Sequence, residues 1–274
     1  MTKATISTRR VNLGQLTLNL REVGSGQLII FLHGVTSNSA IWDPILLNLS
    51  GRARCVAIDQ RGHGLSDKPD AGYAAGDFAE DIAKIIASYG GEPATVVGNS
   101  LGSRNSIAVA ALYPDLVKSI VPIDFTPFIE NEVFDALEKR VVAGDRRFRS
   151  REEITEYLRD RYRLMPDTAI RTRVESAYVE EDGLWRPRAS PSAMVQTVIG
   201  LREELETSML RVKCPAMIVR GAQSSFVSEE AFQKTRDLRP DLSTYVVQGV
   251  DHYVNEEAAD LVTRMIEAFC LDRR

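Results

Sequence analysis

The stretch Gly98-Asn99-Ser100-Leu101-Gly102 limits the possible folds more than any other part of the chain. It follows an apolar run, Ala94-Thr95-Val96-Val97, of the kind that forms a buried strand. It precedes Ser106-Ile107-Ala108-Val109-Ala110-Ala111-Leu112, which reads as a packed helix. A strand, a sharp turn and a helix in that order lift a serine hydroxyl to the strand end and aim helix amides at it. Such a turn is strained and crowded, so glycine is needed on both sides of the serine. Gly-x-Ser-x-Gly alone arises by chance. In this setting it makes Ser100 a candidate nucleophile rather than an idle turn residue.

A base for that serine has few sources, because the chain has 3 histidines. His33 follows the apolar run Leu28–Phe31, and His63 lies in Asp59-Gln60-Arg61-Gly62-His63-Gly64, after Cys55–Ile58; both precede the serine. His252 lies near the C-terminus in Gly249-Val250-Asp251-His252-Tyr253, after Thr244–Val247. Serine first and histidine last, each after a strand, is the chain order of one particular triad architecture and favours His252.

Apolar runs alternate with helical patterns along the chain, which predicts a mostly parallel sheet. Val11–Glu22, broken at Gly14-Gln15, reads as a hairpin. Further strands are expected at Leu28–Leu32, Arg54–Ile58, Ala94–Val97, Ser119–Ile123, Ala216–Arg220 and Ser243–Val247. Helices are expected at Phe78–Tyr89, after Ser100, at Glu229–Leu238 and at Ala258–Phe269. From about Thr126 to Thr207 the alternation stops; that stretch is rich in helix formers and charges and has little strand signal.

The His33-Gly34 loop, the segment Asp59-Gln60-Arg61-Gly62-His63-Gly64-Leu65-Ser66-Asp67-Lys68-Pro69, the elbow and Asp251-His252-Tyr253 together resemble the α/β-hydrolase superfamily over nearly the whole chain. The resemblance implies an α/β-hydrolase fold, a mostly parallel doubly wound sheet with a helical cap insertion. Residues 1–125 and 208–274 would form the core and 126–207 the cap. It also implies an oxyanion hole from the backbone amides of Val35 and Leu101, and structural roles for His33 and His63. One departure is Asn99, where this superfamily often has histidine before the serine.

The acid departs more. In most of the superfamily it follows the strand here read as Ala216–Arg220, yet Gly221-Ala222-Gln223-Ser224-Ser225-Phe226-Val227-Ser228 contains no carboxylate. Glu229 and Glu230 suit a helix start instead. Asp124, one strand earlier at the end of Val121-Pro122-Ile123, faces the same rim and could orient the histidine. Asp251 is the rival, although adjacent loop residues rarely point their side chains at each other; Asp124 could also cap a turn before Pro127.

In the expected cap, Asn131–Gly144 reads as a helix with Val133, Leu137 and Val141 inward and Arg140 on or beside that face. Arg151–Met165 reads as another, with Ile154, Tyr157, Leu158 and Met165 inward and Arg161 on the same stripe. An arginine on a buried face needs an anion. Asp135 or Glu175 could supply it, or the carboxylates of an acidic substrate held by bidentate hydrogen bonds. Arg146, Arg147 and Arg149 read as a solvated cluster. His33–Ser39, Asp124-Phe125-Thr126-Pro127, Ser224-Ser225 and Asp251–Glu256 further resemble a subgroup that hydrolyses an enamide dicarboxylate in vitamin B6 degradation. That resemblance implies a triad of Ser100, Asp124 and His252, and makes arginines in the cap sensible. Arg140, Arg161, Tyr162 and Tyr253 form the substrate-binding set expected of this chain.

Composition fits a small-molecule hydrolase. The formal charge of −4 and the lack of a basic run argue against nucleic acid. No apolar run approaches a membrane span, and Met1–Arg10 lacks the apolar core of a signal peptide. Cys55, Cys214 and Cys270 are few and far apart, which suits a reducing cytoplasm. No close cysteine pair accompanies the scattered histidines, so neither a metal site nor a cofactor is expected. A homodimer is compatible with these features. A carboxylesterase, lactonase or carbon–carbon hydrolase would share the triad, and a non-catalytic receptor would share the fold.

Overall fold

The computed structural model describes residues 4–272, so residues 1–3 and 273–274 of the expected core lie outside the described residues. Strands β1 (Ser7–Asn12) and β2 (Thr17–Val23) form the predicted hairpin, with the first arm starting four residues earlier than the sequence suggested. The strands β3 (Leu28–Leu32), β4 (Arg54–Asp59), β5 (Ala94–Asn99) and β6 (Val117–Ile123) follow. A small hairpin, β7 (Tyr178–Glu181) and β8 (Leu184–Pro187), precedes the last two sheet strands, β9 (Met217–Gly221) and β10 (Ser243–Val247).

Eight strands form one sheet in the order β1-β2-β4-β3-β5-β6-β9-β10. Pairing from β4 to β10 is parallel; β1 and β2 are antiparallel additions. All five residues of β3 are buried, as a parallel strand covered on both faces requires. Successive residues still alternate: Ile30 and Leu32 pack on one face, Ile29 and Phe31 on the other.

The helices that cover these faces are α1 (Asp43–Leu49), α2 (Ala75–Ser88) and α3 (Leu101–Leu112). In the insertion between β6 and β9 come α4 (Asn131–Gly144), α5 (Arg151–Arg161), α6 (Asp167–Ala177), α7 (Pro191–Gly200) and α8 (Glu206–Arg211). The chain closes with α9 (Glu229–Leu238), α10 (Val254–Glu257) and α11 (Ala259–Ile266). Among the described residues no helix is long and apolar enough to cross a membrane.

The order reverses at β3, with β4 on one side and β5 on the other. A crevice therefore opens beyond their carboxyl ends, where ligands bind in such sheets. Close approach there requires small residues. A Cβ on Gly98 would lie 2.1 Å from the Gly102 carbonyl carbon, and one on Gly102 would lie 2.1 Å from the Leu32 carbonyl oxygen.

The insertion departs from expectation in three places. Helix α5 stops at Arg161 rather than Met165, because Pro166 disfavours helical backbone at the residue before it. Tyr162 therefore sits beyond the helix, with φ −121 and ψ 71. The hairpin β7–β8 was not anticipated, although its turn, Asp182-Gly183, has the Asp-Gly signature of a tight hairpin, with φ 54 and 76. In α4 the buried stripe is Phe134, Leu137 and Val141; Val133 is only half-buried.

Candidate active site

Each candidate residue leaves a strand end on the same rim. Ser100 follows β5 with φ 55 and ψ −116, the strained conformation the flanking sequence called for. Its backbone N–H donates to the Ile123 carbonyl at 2.9 Å, tying the elbow to the end of β6. Leu101 opens α3, whose first N–H groups have no partner within the helix. Gly34 packs against the serine, so that a Cβ there would stand 3.2 Å from the Ser100 Cβ, and the next residue, Val35, lines the same cavity as Ser100 and His252.

Asp124 follows β6 with φ 52 and is 1% exposed. The His252 Nδ1–H donates to its Oδ2 at 2.7 Å. Gly221 N–H donates to Oδ1 at 2.9 Å and the Ser224 hydroxyl to Oδ2 at 2.5 Å. The loop after β9, which lacks a carboxylate, thus supplies donors to the carboxylate of the neighbouring strand. Three donors converge on this one buried carboxylate and fix its orientation. Asp251 instead accepts from Ser225 N–H at 3.3 Å and makes no bond to His252.

Asn99, from which the sequence permitted no conclusion, also holds the histidine. Its side-chain amide donates to the His252 carbonyl at 3.0 Å. Phe226 packs on the His252 ring, 4.5 Å between ring centres.

The two other histidines are buried. Gln60 N–H donates to His33 Nε2 at 3.0 Å, which leaves Nδ1–H to donate to the Gly34 carbonyl at 2.8 Å. His63 packs edge-on to it at 4.9 Å. Burial lowers the pKa of His33, and that of His63 well below the usual 6.5. The unfolded chain therefore binds protons below 6.5 that the folded chain refuses, and stability falls as pH drops through that value. Each such proton costs about 1.4 kcal/mol per pH unit. Urea midpoints are expected to fall steadily from about pH 7 to about pH 5, above the range where carboxylates protonate; a flat midpoint would contradict neutral burial.

Above the serine, the insertion contributes the remaining wall. Arg140, Arg161, Tyr162 and Tyr253 all line the cavity that holds Ser100 and His252. Among the described residues neither Arg140 nor Arg161 has an ion pair. Arg161 donates to the Tyr157 hydroxyl at 2.8 Å, and its buried Nε–H has no partner. The two carboxylates weighed as protein partners do not serve them: Asp135 pairs with Arg202 at 2.7 Å, and Glu175 is exposed. Arg146, Arg147 and Arg149 are exposed, as expected of a solvated cluster.

Arg173 was missed by sequence reading. It is buried in the same wall and forks onto Glu256, with Nε at 2.9 Å and Nη2 at 2.5 Å from the two carboxylate oxygens. Its place beside Ile170 and Val174 on the buried stripe of α6 was the available signal. Ser224-Ser225 was among the segments that carried the resemblance, but the bond from Ser224 to Asp124 was not foreseen, because a hydroxyl in a polar loop does not announce its partner.

Compared with known proteins, residues 27–259 match the family model for the alpha/beta hydrolase fold. The chain belongs to the α/β-hydrolase family and is a hydrolase. It is 52% identical over 262 residues to the 2-(acetamidomethylene)succinate hydrolase of Mesorhizobium japonicum, covering 96% of this chain and 94% of that protein. A crystal structure of E-2-(acetamidomethylene)succinate hydrolase superposes with a TM-score of 0.95 at 51% identity, covering 97% of this chain and 99% of the other. The enol-lactonase of Burkholderia xenovorans, at 17% identity, covers 95% of this chain and 99% of its own with a TM-score of 0.76; that likeness concerns the fold alone.

Proposed function

We propose that the chain hydrolyses the amide bond of 2-(acetamidomethylene)succinate, or a close enamide dicarboxylate, in the cytoplasm as a step of vitamin B6 degradation. The observation that carries this is the pair of arginines, Arg140 and Arg161, that share the Ser100–His252 cavity without a protein carboxylate. Two uncompensated cations beside a nucleophile suit a substrate with two carboxylates, because unpaired buried charge is costly until an anion arrives. Similarity to the Mesorhizobium enzyme over almost the whole chain supports the same substrate.

In this reading residues 126–207 form a cap over the core. Ser100 is the nucleophile, His252 the base and Asp124 the orienting acid. His252 takes the proton of Ser100, or of a water beside it, and the oxygen adds to the acetyl carbonyl. The N–H groups of Val35 and Leu101 bind the resulting oxyanion; losing one such donor typically costs on the order of a hundredfold or more in rate. His252, its imidazolium stabilised by Asp124, then gives its proton to the leaving nitrogen. Water completes the hydrolysis, and acetate and the enamine leave; the enamine then adds a second water through its imine tautomer and breaks down to an aldehyde and ammonia. Arg140, Arg161, Tyr162 and Tyr253 hold the two carboxylates. No cofactor is needed for these steps.

Purified protein should release acetate and ammonia from 2-(acetamidomethylene)succinate far faster than from a neutral acetamide. Faster turnover of neutral esters than of any dicarboxylate would favour a general carboxylesterase or lactonase instead. Arg161→Ala should raise KM for the acidic substrate about tenfold to a hundredfold and leave a neutral ester within about threefold. Arg161→Lys should remain impaired, because an ammonium lacks the planar fork. Equal losses on both substrates would make Arg161 a structural residue.

A further inference from the structure

The chemistry above leaves Arg173 without a task, although it stands in the cavity wall. Arg173 is 5% exposed and Glu256 is 7% exposed. Both carboxylate oxygens of Glu256 are engaged by the fork, so the cation is already neutralised and offers little to a substrate anion. A pair with only a packing role could be replaced by apolar residues without loss. This one is placed differently. The guanidinium carbon lies 4.8 Å from the ring centre of Tyr162 and 4.8 Å from that of Tyr253. The two rings meet edge to face at 4.8 Å, and Tyr253 adjoins His252 at 5.1 Å. Glu256 is rigidly related to Tyr253: the N–H groups of Glu256 and Glu257 both donate to the Tyr253 carbonyl at 2.9 Å.

We propose that Arg173 is a positioning residue: clamped by Glu256, it fixes the Tyr162–Tyr253 pair against the Ser100–His252 cavity and gives no charge of its own to the substrate. The part of this that concerns substrate rests on the proposed function, in which the two tyrosines bind carboxylates. The choice of residue follows from shape. Only a guanidinium offers a fork for Glu256 and flat faces for aromatic rings at once. Helix α6, which carries Arg173, is tied down again one turn later, since Asn38 Nδ2–H donates to Ser176 Oγ at 3.0 Å. The clamp thus joins the insertion to the histidine loop at a fixed spacing.

The electrostatics of the two phenols agree. Burial raises Tyr162, but Arg173, then Arg161 and the Tyr253 hydroxyl, outweigh it and leave Tyr162 below its usual value. Burial and the neighbouring Tyr162 raise Tyr253. A pair pushed apart in this way contains one ready donor and one ready acceptor.

The test uses Arg173→Lys and Arg173→Met, alone and with Tyr162→Phe, and has two arms. In the kinetic arm, Arg173→Lys should raise KM for 2-(acetamidomethylene)succinate about tenfold with kcat and neutral-ester turnover within about twofold. In the Tyr162→Phe background the same change should have little further effect, because the two residues act as one unit. In the spectroscopic arm, absorbance of the full chain followed through alkaline pH should show one tyrosine ionising ahead of the rest. That early step should merge with the others in Arg173→Met and weaken in Arg173→Lys. Losses shared equally by acidic and neutral substrates, additivity with Tyr162→Phe, or an unchanged early step in both variants would each overturn the proposal. If Arg173→Met does not fold, Arg173→Lys carries both arms. The titration needs no substrate, so a wild-type protein that ignores the dicarboxylate yet loses its early step on substitution would sink the proposed function and leave the positioning role standing.

Discussion

Ser100→Ala is expected to lower kcat on the dicarboxylate substrate by on the order of a millionfold, the scale seen when a serine nucleophile is removed elsewhere. His252→Ala should fall nearly as far. The double variant should be little worse than either single one, because members of one catalytic unit are not additive. The residual rate would come from the oxyanion donors and from binding alone. Burst and steady-state measurements on the purified variants decide the matter. Substantial turnover by either single variant would displace these residues from the centre of the mechanism. The fold should be unaffected, since replacing the serine hydroxyl by hydrogen keeps the Cβ and the backbone turn and removes a single heavy atom at the cavity wall.

Asp124→Asn should lower kcat by about ten-thousandfold, as when a triad aspartate is replaced by its amide. The change keeps the shape of the side chain and removes the charge. It also presents an N–H₂ group where the carboxylate now accepts three hydrogen bonds, from His252, Ser224 and Gly221. The imidazole is then held in the wrong tautomer, or the amide turns and leaves a donor facing Gly221 N–H. Asp251→Asn should stay within about threefold, since among the described residues the Asp251 carboxylate accepts only from the Ser225 amide. If the two variants exchanged these effects, Asp251 would be the acid.

Much of this arrangement was legible before any coordinates, for identifiable physical reasons. The parallel strands read clearly because both of their faces are buried, so residues such as Leu28–Leu32 form unbroken apolar runs. The elbow read clearly because its backbone demands glycine on either side of Ser100. Asp124 was weighed against Asp251 because the loop after β9 had no carboxylate to offer, and it is Asp124 that bonds His252. What stayed hidden depends on partners distant in sequence. Arg173 and Glu256 are 83 residues apart, and each alone looks like an ordinary charged helical residue. Asn99 bonds a carbonyl 153 residues away, which no local pattern can announce. The end of α5 was misplaced because the helical stripe continues to Met165 while Pro166 forbids the backbone to follow.

The placement of Asp124 has a consequence for anyone who would recombine this chain with its relatives. Asp124 is the last residue anchored in the sheet, its N–H bonded to the Val219 carbonyl at 2.7 Å, and Phe125 already packs against Phe134 of the insertion. The crossover point of a chimaera would fall within a residue or two of Asp124, and a foreign segment joined there would inherit the task of preserving the backbone turn at φ 52. Changing side chains within the insertion therefore disturbs this turn less than transplanting the segment whole.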